Sequence, residues 1–447
     1  MRRAVAAAAA AAAVFAPALV AQERAPIPAR LTLEDAIAIA RERNPDYLQA
    51  GNTARAQGAQ VRAGWGAFLP DLTANLGFGG SNSTRVTGED DFGRPVQLPQ
   101  PINFKGSSSS QSLSARLTLF DGFANLTTLR AARAGRDAAD AARWVARNRV
   151  DAVTAQRFYD ALRARQLIAL EERLLASAQE QRANTDRLFR AAGATREDQL
   201  GAEADVANAE LALERARGDA DKAVLALREY LGITQDIVFA PEGTLPEAAD
   251  PSDLSADSLV AVALAGHPQI QRLDASASAS HLRASATRGS RWPSISFSAS
   301  YARSTSLSSY EALFDFNPKN RGFRFDLGLN YPIFTGFQTS ARIAQADAEA
   351  DNADEQFRAG RLQVERDVRS ALIDLRNAFR GVQLAERASE LSGERLRLAR
   401  ERYAIGAITF ANLQLLIDRA AQEERGLINA RYNYAAARAA LTERVGQ

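Results

Sequence analysis

The sequence predicts a mainly α protein with a small β part. The fold class is a long coiled-coil α-helical barrel plus a transmembrane β-barrel shared between subunits, with each chain built as two tandem structural repeats. Three observations lead there. The chain is written twice: LTLEDAIAIARERNP at 31–45 returns as LSADSLVAVALAGHP at 254–268, and LFDGF at 119–123 returns as IFTGF at 333–337. Each copy holds a very long stretch of helix formers, about 123–191 and 337–404, nearly free of proline. Each copy also holds short segments with a two-residue apolar beat, most plainly RWPSISFSASYARSTS at 291–306.

The first match runs at an offset of 223, which also carries Leu69-Pro70 onto Trp292-Pro293. The second runs at 214 and holds without a gap to ALREYLG (226–232) and ALTERVG (440–446). The expected organisation is therefore a first repeat at 22–232, a linker or equatorial segment at 233–253, and a second repeat at 254–447.

Residues 1–21 open with MRR and run through an Ala-rich apolar stretch to PALVA. A basic start, an apolar core and small residues near the end describe a secretory signal peptide, with cleavage near Ala18 or Ala21. The alternative, a membrane anchor, would use an apolar segment that is short for a span. Loss of Arg2 and Arg3 takes the net charge from +2 to about 0. The chain has no cysteine, which excludes a disulfide framework, a thiol nucleophile and a lipid-modified N-terminal cysteine. Past residue 21 no apolar run approaches the length of a transmembrane helix, so entry into a membrane would require strands.

Within each repeat a long helical segment comes first, interrupted at Asn44-Pro45 or His267-Pro268. Strands are expected at about 68–80 and 111–120, and again at about 293–303 and 322–334. Leu72, Ala74, Leu76 and Phe78 keep the alternation in the first, and Phe323, Phe325, Leu327, Leu329 and Tyr331 in the last. About 10 residues suffice to cross an outer membrane at a tilt. The intervening Gly/Ser/Pro-rich stretches 83–109 and 307–321 read as loops.

Long helices at 123–191 and 195–231, then at 337–404 and 409–445, complete the two units. About 68 residues at about 1.5 Å rise reach roughly 100 Å, a length typical of coiled coil rather than of a globular core. Val364, Val368, Ala371, Leu375, Ala378 and Val382 step as a heptad seam with small residues. An ordinary helical bundle fits less well with 7% aromatic content.

Four strands do not close a barrel, and in lipid every strand edge must be paired. Oligomerisation resolves this: a trimer supplies 12 strands and a dimer 8, the smallest bacterial barrel. Aromatics that gather at the strand–helix boundaries, namely Trp65, Phe68, Phe120, Trp292, Tyr331 and Phe334, would mark the membrane interface. Alternation also suits an amphipathic strand on a soluble core, and a structural or adhesive periplasmic coiled-coil protein is the rival class. A heat-resistant trimer in the outer-membrane fraction separates the two.

Nothing in the sequence carries catalytic chemistry. There is no Gly-rich phosphate loop, nucleophile elbow or HExxH, so no enzyme, cofactor or metal is expected. The two histidines, His267 and His281, do not form a zinc set. Fifty-five basic residues balance 53 acidic ones and are scattered, which excludes the basic stripe of a nucleic-acid binder.

Several motifs together carry a family resemblance: L-x-x-A-I-x-x-A with N-P at 33–45, Leu69-Pro70-Asp71-Leu72 and Phe120-Asp121-Gly122. RLFRAAGATREDQL (187–200), RYAIGAITFANLQLL (402–416) and NARYNYAAARAAL (429–441) complete the set. In this order and duplication the chain resembles the TolC-like outer membrane efflux protein family over essentially its mature length. The resemblance implies a homotrimer in the outer membrane with a 12-stranded barrel, a periplasmic helical tunnel and a belt formed by the linker and termini. It further implies an exit duct of a tripartite efflux or type I secretion system, which docks on a periplasmic adaptor and an inner-membrane pump.

The resemblance places an adaptor at the two helix-reversing turns, Gly193, Ala194 and Thr195 with Gly406, Ala407 and Ile408, whose glycines would supply permissive backbone. It places a periplasmic gate at Tyr403, with Phe189 as its counterpart, and at Asp198. The second repeat departs from the family pattern, carrying Asn412 and Leu415 at the aspartate positions and Ile408 at the arginine position. A double carboxylate ring is therefore not reproduced, although three copies of Asp198 would still form one ring.

Overall fold

In a computed structural model of the chain, residues 27–446 are described except 90, 91, 93, 192, 236 and 238. The expected signal peptide lies outside the described residues. Each repeat begins with a helix pair: α1 (Leu33–Arg43) and α2 (Pro45–Gly66) in the first, α5 (Ala256–Gly266) and α6 (Pro268–Gly289) in the second. The break between helices is a capped joint. Asn44 Oδ1 accepts from the amides of Asp46 and Tyr47, while Pro45 takes the first helical position, where its missing N–H costs nothing. In the second repeat His267 Nδ1 does the same for Gln269 N at 3.1 Å.

The long helices are α3 (Ala124–Arg190) and α7 (Gln338–Ala404), each of 67 residues. At the α-helical rise each is roughly 100 Å long. They return as α4 (Arg196–Tyr230) and α8 (Phe410–Val445). α4 and α8 start at Thr195 and Thr409, whose hydroxyls accept from the amides of Asp198 and Asn412. Among the described residues no helix is long and apolar enough to cross a membrane.

Two cores repeat one another. Val150, Phe158, Ala161, Leu227 and Leu231 are buried in the first, and Val364, Leu372, Leu375, Leu441 and Val445 occupy the corresponding positions in the second. The heptad seam of α7 is buried at Val364, Val368, Ala371, Leu375 and Val382, packed against α5, α6 and α8. Both units close at a left-handed glycine, Gly232 (φ 70°) and Gly446 (φ 88°). A Cβ on Gly232 would overlap the Arg43 carbonyl oxygen, so only glycine lets the end of α4 rest on the joint between α1 and α2.

The segment 233–253 runs along these helices rather than away from them. Its strand β4 (Ala240–Pro241) pairs in parallel with β1 (Arg30–Leu31). Arg165 donates to the Pro241 carbonyl at 3.0 Å, and the Tyr434 hydroxyl donates to the Ala249 carbonyl at 3.1 Å.

The four remaining strands, β2 (Asp71–Glu89), β3 (Pro95–Phe120), β5 (Ser294–Leu307) and β6 (Asn320–Asn330), form one antiparallel sheet in the order β2-β3-β5-β6. The expected strands 68–80 and 111–120 are too short, and the expected loop 83–109 is mostly strand. Serine and proline disfavour strands, but β2 and β3 pair as a ribbon from Asp71↔Arg116 to Glu89↔Pro95. Pro99 and Pro101 fall within the register shift between Arg85 and Thr87, where no ladder amide is required. The last strand ends at Asn330 rather than 334, since Pro332 lacks the donor to continue it.

Candidate functional site

The alternating residues of all four strands converge on one face of the sheet. The register sets Leu72 against Ala115, Leu113 against Tyr301, and Leu117 against Phe297. It continues with Phe297 against Leu327, Ala299 against Phe325 and Ile295 against Leu329. Cα partners share a face, so these residues form a continuous apolar surface. Leu327 and Leu329 are each 70% exposed, as is Phe325. The opposite face carries Ser108, Ser110, Ser112 and Ser114 beside Ser298 and Ser300. An apolar sheet face of this extent has no place in water. Lipid outside and a wet interior satisfy both faces.

At the base of the sheet the strands meet the helices through sharp corners. Asp121-Gly122-Phe123 and Thr335-Gly336-Phe337 each hold two consecutive left-handed residues, with φ 67° and 65° in the first and 58° and 65° in the second. Phenylalanine tolerates this conformation at a cost of roughly 1–2 kcal/mol. Its ring is directed at a neighbour from the strand end: Phe123 lies 5.4 Å from Phe120, and Phe337 5.6 Å from Phe334. The structure places Trp65 and Phe68 in the same zone, 6.2 Å apart, with Trp292 just before β5 and Tyr331 just after β6. Sequence reasoning missed Phe123 and Phe337; their signal is the duplicated Gly-Phe pair.

At the far end, about 100 Å away, lie the helix reversals. Gly406 is left-handed (φ 73°), and the amides of Gly406 and Ala407 donate to the carbonyls of Tyr403 and Arg402. The other reversal holds Gly193. Its amide closes on the Leu188 carbonyl at 2.8 Å. Ile405 protrudes, 81% exposed, beside Ala407 and Ile408.

Of the gate candidates, Asp198 is engaged locally. Its Oδ2 accepts from the Thr195 amide at 2.9 Å and from the Thr195 hydroxyl at 2.8 Å. Together with the Asp198 amide donating back to Thr195, this is a reciprocal capping box. Asn412 holds the same position in α8, where its amide donates to the Thr409 hydroxyl. Tyr403 packs 6.2 Å from Phe410, not against Phe189, which is exposed. Burial pushes the Tyr403 phenol above its ordinary value; the Thr185 hydroxyl, buried and otherwise unpartnered, opposes this, and the Asp198 carboxylate adds to it. Tyr403 lines a cavity of about 440 Å³ with Glu180, Gln181, Asn184, Arg187 and Arg400.

Sequence reasoning missed Phe410, which is buried against Gly201 of α4 and ties the two reversals together. It also missed a polar seam further along the bundle. There Arg425 forks onto Glu171 at 2.7 and 2.9 Å, between Asp205 of α4 and Asp418 of α8. Among the described residues no cluster could hold a metal ion.

A sheet with one lipid-suited face, set on helices roughly 100 Å long, defines an outer-membrane channel with a large periplasmic helical portion. The sequence profile of the outer membrane efflux proteins matches residues 36–233 and 259–447, and the chain belongs to that family, the TolC-like channels of efflux and export. It is 27% identical to the protein CyaE of Bordetella pertussis over 78% of this chain and 70% of that one. It is 32% identical to the outer membrane efflux protein BepC of Brucella suis biovar 1 over 44% of this chain and 41% of that one. The fold is similar to that of CusC, with a TM-score of 0.74, 18% identity, and coverage of 92% of this chain and 91% of that one. The family and its structural neighbours are channels rather than enzymes.

Proposed function

We propose that the chain is the passive exit duct of a tripartite efflux or type I secretion assembly and works as a homotrimer. The carrying observation is the pair of free edges. Among the described residues β2 pairs only with β3 and β6 only with β5. An open apolar sheet is not viable in lipid, whereas three copies joined edge to edge give a 12-stranded barrel. Stacked beneath it, three sets of long helices enclose a tunnel, with 233–253 as its belt. The duct binds no energy source of its own. An inner-membrane pump would supply the drive through a periplasmic adaptor, which would meet the turns Gly193–Thr195 and Gly406–Ile408, with Ile405 offering an apolar contact. Phe189, Asp198, Tyr403 and Asn412 would then surround the periplasmic mouth.

The test is reconstitution of detergent-extracted protein into planar bilayers, with mass measurement of the intact assembly. A three-chain species with stepwise conductance is expected. A soluble monomer without conductance would refute the reading.

A further inference from the structure

On β5 and β6 the apolar face ends at the Tyr301↔Phe323 pair, while on β2 it runs on through Leu76 and Phe78. The next residues along that face are Arg303 and Arg321, set directly opposite one another in the register. Like charges opposite each other across a sheet repel, and Lys319 adds a third positive charge one step on. The Lys319 amide is fixed by the Thr305 hydroxyl at 3.0 Å. Among the described residues none of these three cations is in an ion pair. Arg303 Nη2 donates to Asn317 Oδ1, and its Nε is buried without a partner.

The same end of the sheet is covered by a folded loop, 308–319. The Ser107 hydroxyl accepts from the Ala312 amide at 3.0 Å, and Gln111 donates to the Phe316 carbonyl at 2.9 Å. Phe314 and Phe316 pack on Phe78 at 5.5 and 5.2 Å and remain exposed. The loop's own carboxylates are Glu311 and Asp315, and Asp315 Oδ1 already accepts from the Asn317 amide at 2.8 Å. Lys105, on the same face, extends the positive character, with its ammonium 6.0 Å from the Tyr310 ring.

We propose that Arg303, Lys319 and Arg321 form a binding site for the phosphorylated headgroup of an outer-leaflet lipid whose acyl chains lie on the apolar face below. This rests on the outer-membrane channel reading, which turns that face to lipid. The ligand must be amphipathic, because three cations stand directly above the Tyr301–Phe323 apolar rung and beside exposed Phe314 and Phe316. An anion between Arg303 and Arg321 converts their repulsion into two charge-assisted contacts. A free phosphate would use the cations and leave the aromatic surface uncovered.

The experiment compares binding of a bisphosphorylated saccharolipid and its dephosphorylated form to the purified, assembled channel by native mass spectrometry. A preference on the order of a hundredfold for the phosphorylated lipid is expected, from three surface cations. The triple variant Arg303→Gln, Lys319→Gln, Arg321→Gln loses that preference. Arg324→Gln, on the opposite face against Ser300, keeps it. Should the triple variant fail to assemble, Arg321→Gln alone is expected to weaken the preference. Equal binding of the two lipids by the unaltered channel, or an undiminished preference in the assembled triple variant, overturns the proposal. Displacement of the lipid by excess inorganic phosphate would show an ion site only and overturns it as well. A channel that conducts without lipid preference overturns this inference alone; a protein that neither conducts nor enters the membrane overturns the functional reading.

Discussion

Replacing Gly122 by alanine should damage the channel more than the equivalent change at Gly336. Both glycines are left-handed, with φ 67° at Gly122 and φ 58° at Gly336. Alanine therefore meets a backbone penalty of roughly 1–2 kcal/mol at either site. Their surroundings differ. A Cβ on Gly122 would overlap the Gly289 carbonyl oxygen and lie 2.8 Å from Trp292 Cβ, whereas a Cβ on Gly336 has nothing within 4 Å. The obstructing atom at Gly122 is backbone and has no rotamer to retreat into. Such overpacking adds about 1–3 kcal/mol. Gly122→Ala should then cost about 2–5 kcal/mol per chain and Gly336→Ala about 1–2 kcal/mol. Gly289→Ala should fall between, because its Cβ meets the Gly122 carbonyl at 2.9 Å in an otherwise normal helix. The assay is the temperature at which the detergent-solubilised assembly dissociates on a gel. Unfolding of such assemblies is often irreversible, so the ranking is the observable. Equal losses at Gly122 and Gly336 would refute the close packing of the Gly122 corner on α6.

His267 should make stability depend on pH. Burial holds its imidazole below the ordinary value of 6.5, with the Glu443 carbonyl opposing and Arg444 assisting. The unfolded chain therefore binds the proton more readily, and stability present above 6.5 is lost as pH falls through the folded value. His267→Asn copies the cap that Asn44 supplies, so its thermal midpoint should change less than the parent's between about pH 7.5 and about pH 5; an unchanged pH response would sink this. Burial, and then the Asp418 charge, raise the Asp205 carboxyl. An acid so raised weakens the fold as pH rises above its ordinary 3.8, so Asp205→Asn should stabilise at neutral pH and lose that advantage in acid. Melting curves at both pH values check it. Asp198→Ala removes one half of a capping box and should cost about 1 kcal/mol in the tip region, read as faster amide exchange at Thr195. If single-channel conductance changes in neither Asp198→Ala nor Tyr403→Phe, a gating role for these two residues is excluded.

How much was legible follows from the range over which each signal acts. The duplication, the paired long helices and the sheet's apolar face are written in periodicities of about 3.5 and 2 that a single segment carries by itself. The seam from Val364 to Val382 is buried as that period requires. The family motifs at 33–45, 120–122 and 402–416 likewise sit within short windows. Residues 83–109 misled because serine and proline report weak strand preference, while the ribbon they form is decided by β2 lying alongside.

What the tertiary structure alone decided are the pairings between distant segments. The contact of Gly122 with Gly289, the fork of Arg425 onto Glu171 and the opposition of Arg303 to Arg321 join residues that no local window contains. Asp198, which the family resemblance placed at the periplasmic gate, shows another such detail: its carboxylate closes the first turn of α4 through Thr195. Periodic hydrophobicity determines which face of an element is buried. Only packing determines which partner covers that face and which charged groups find a counterpart.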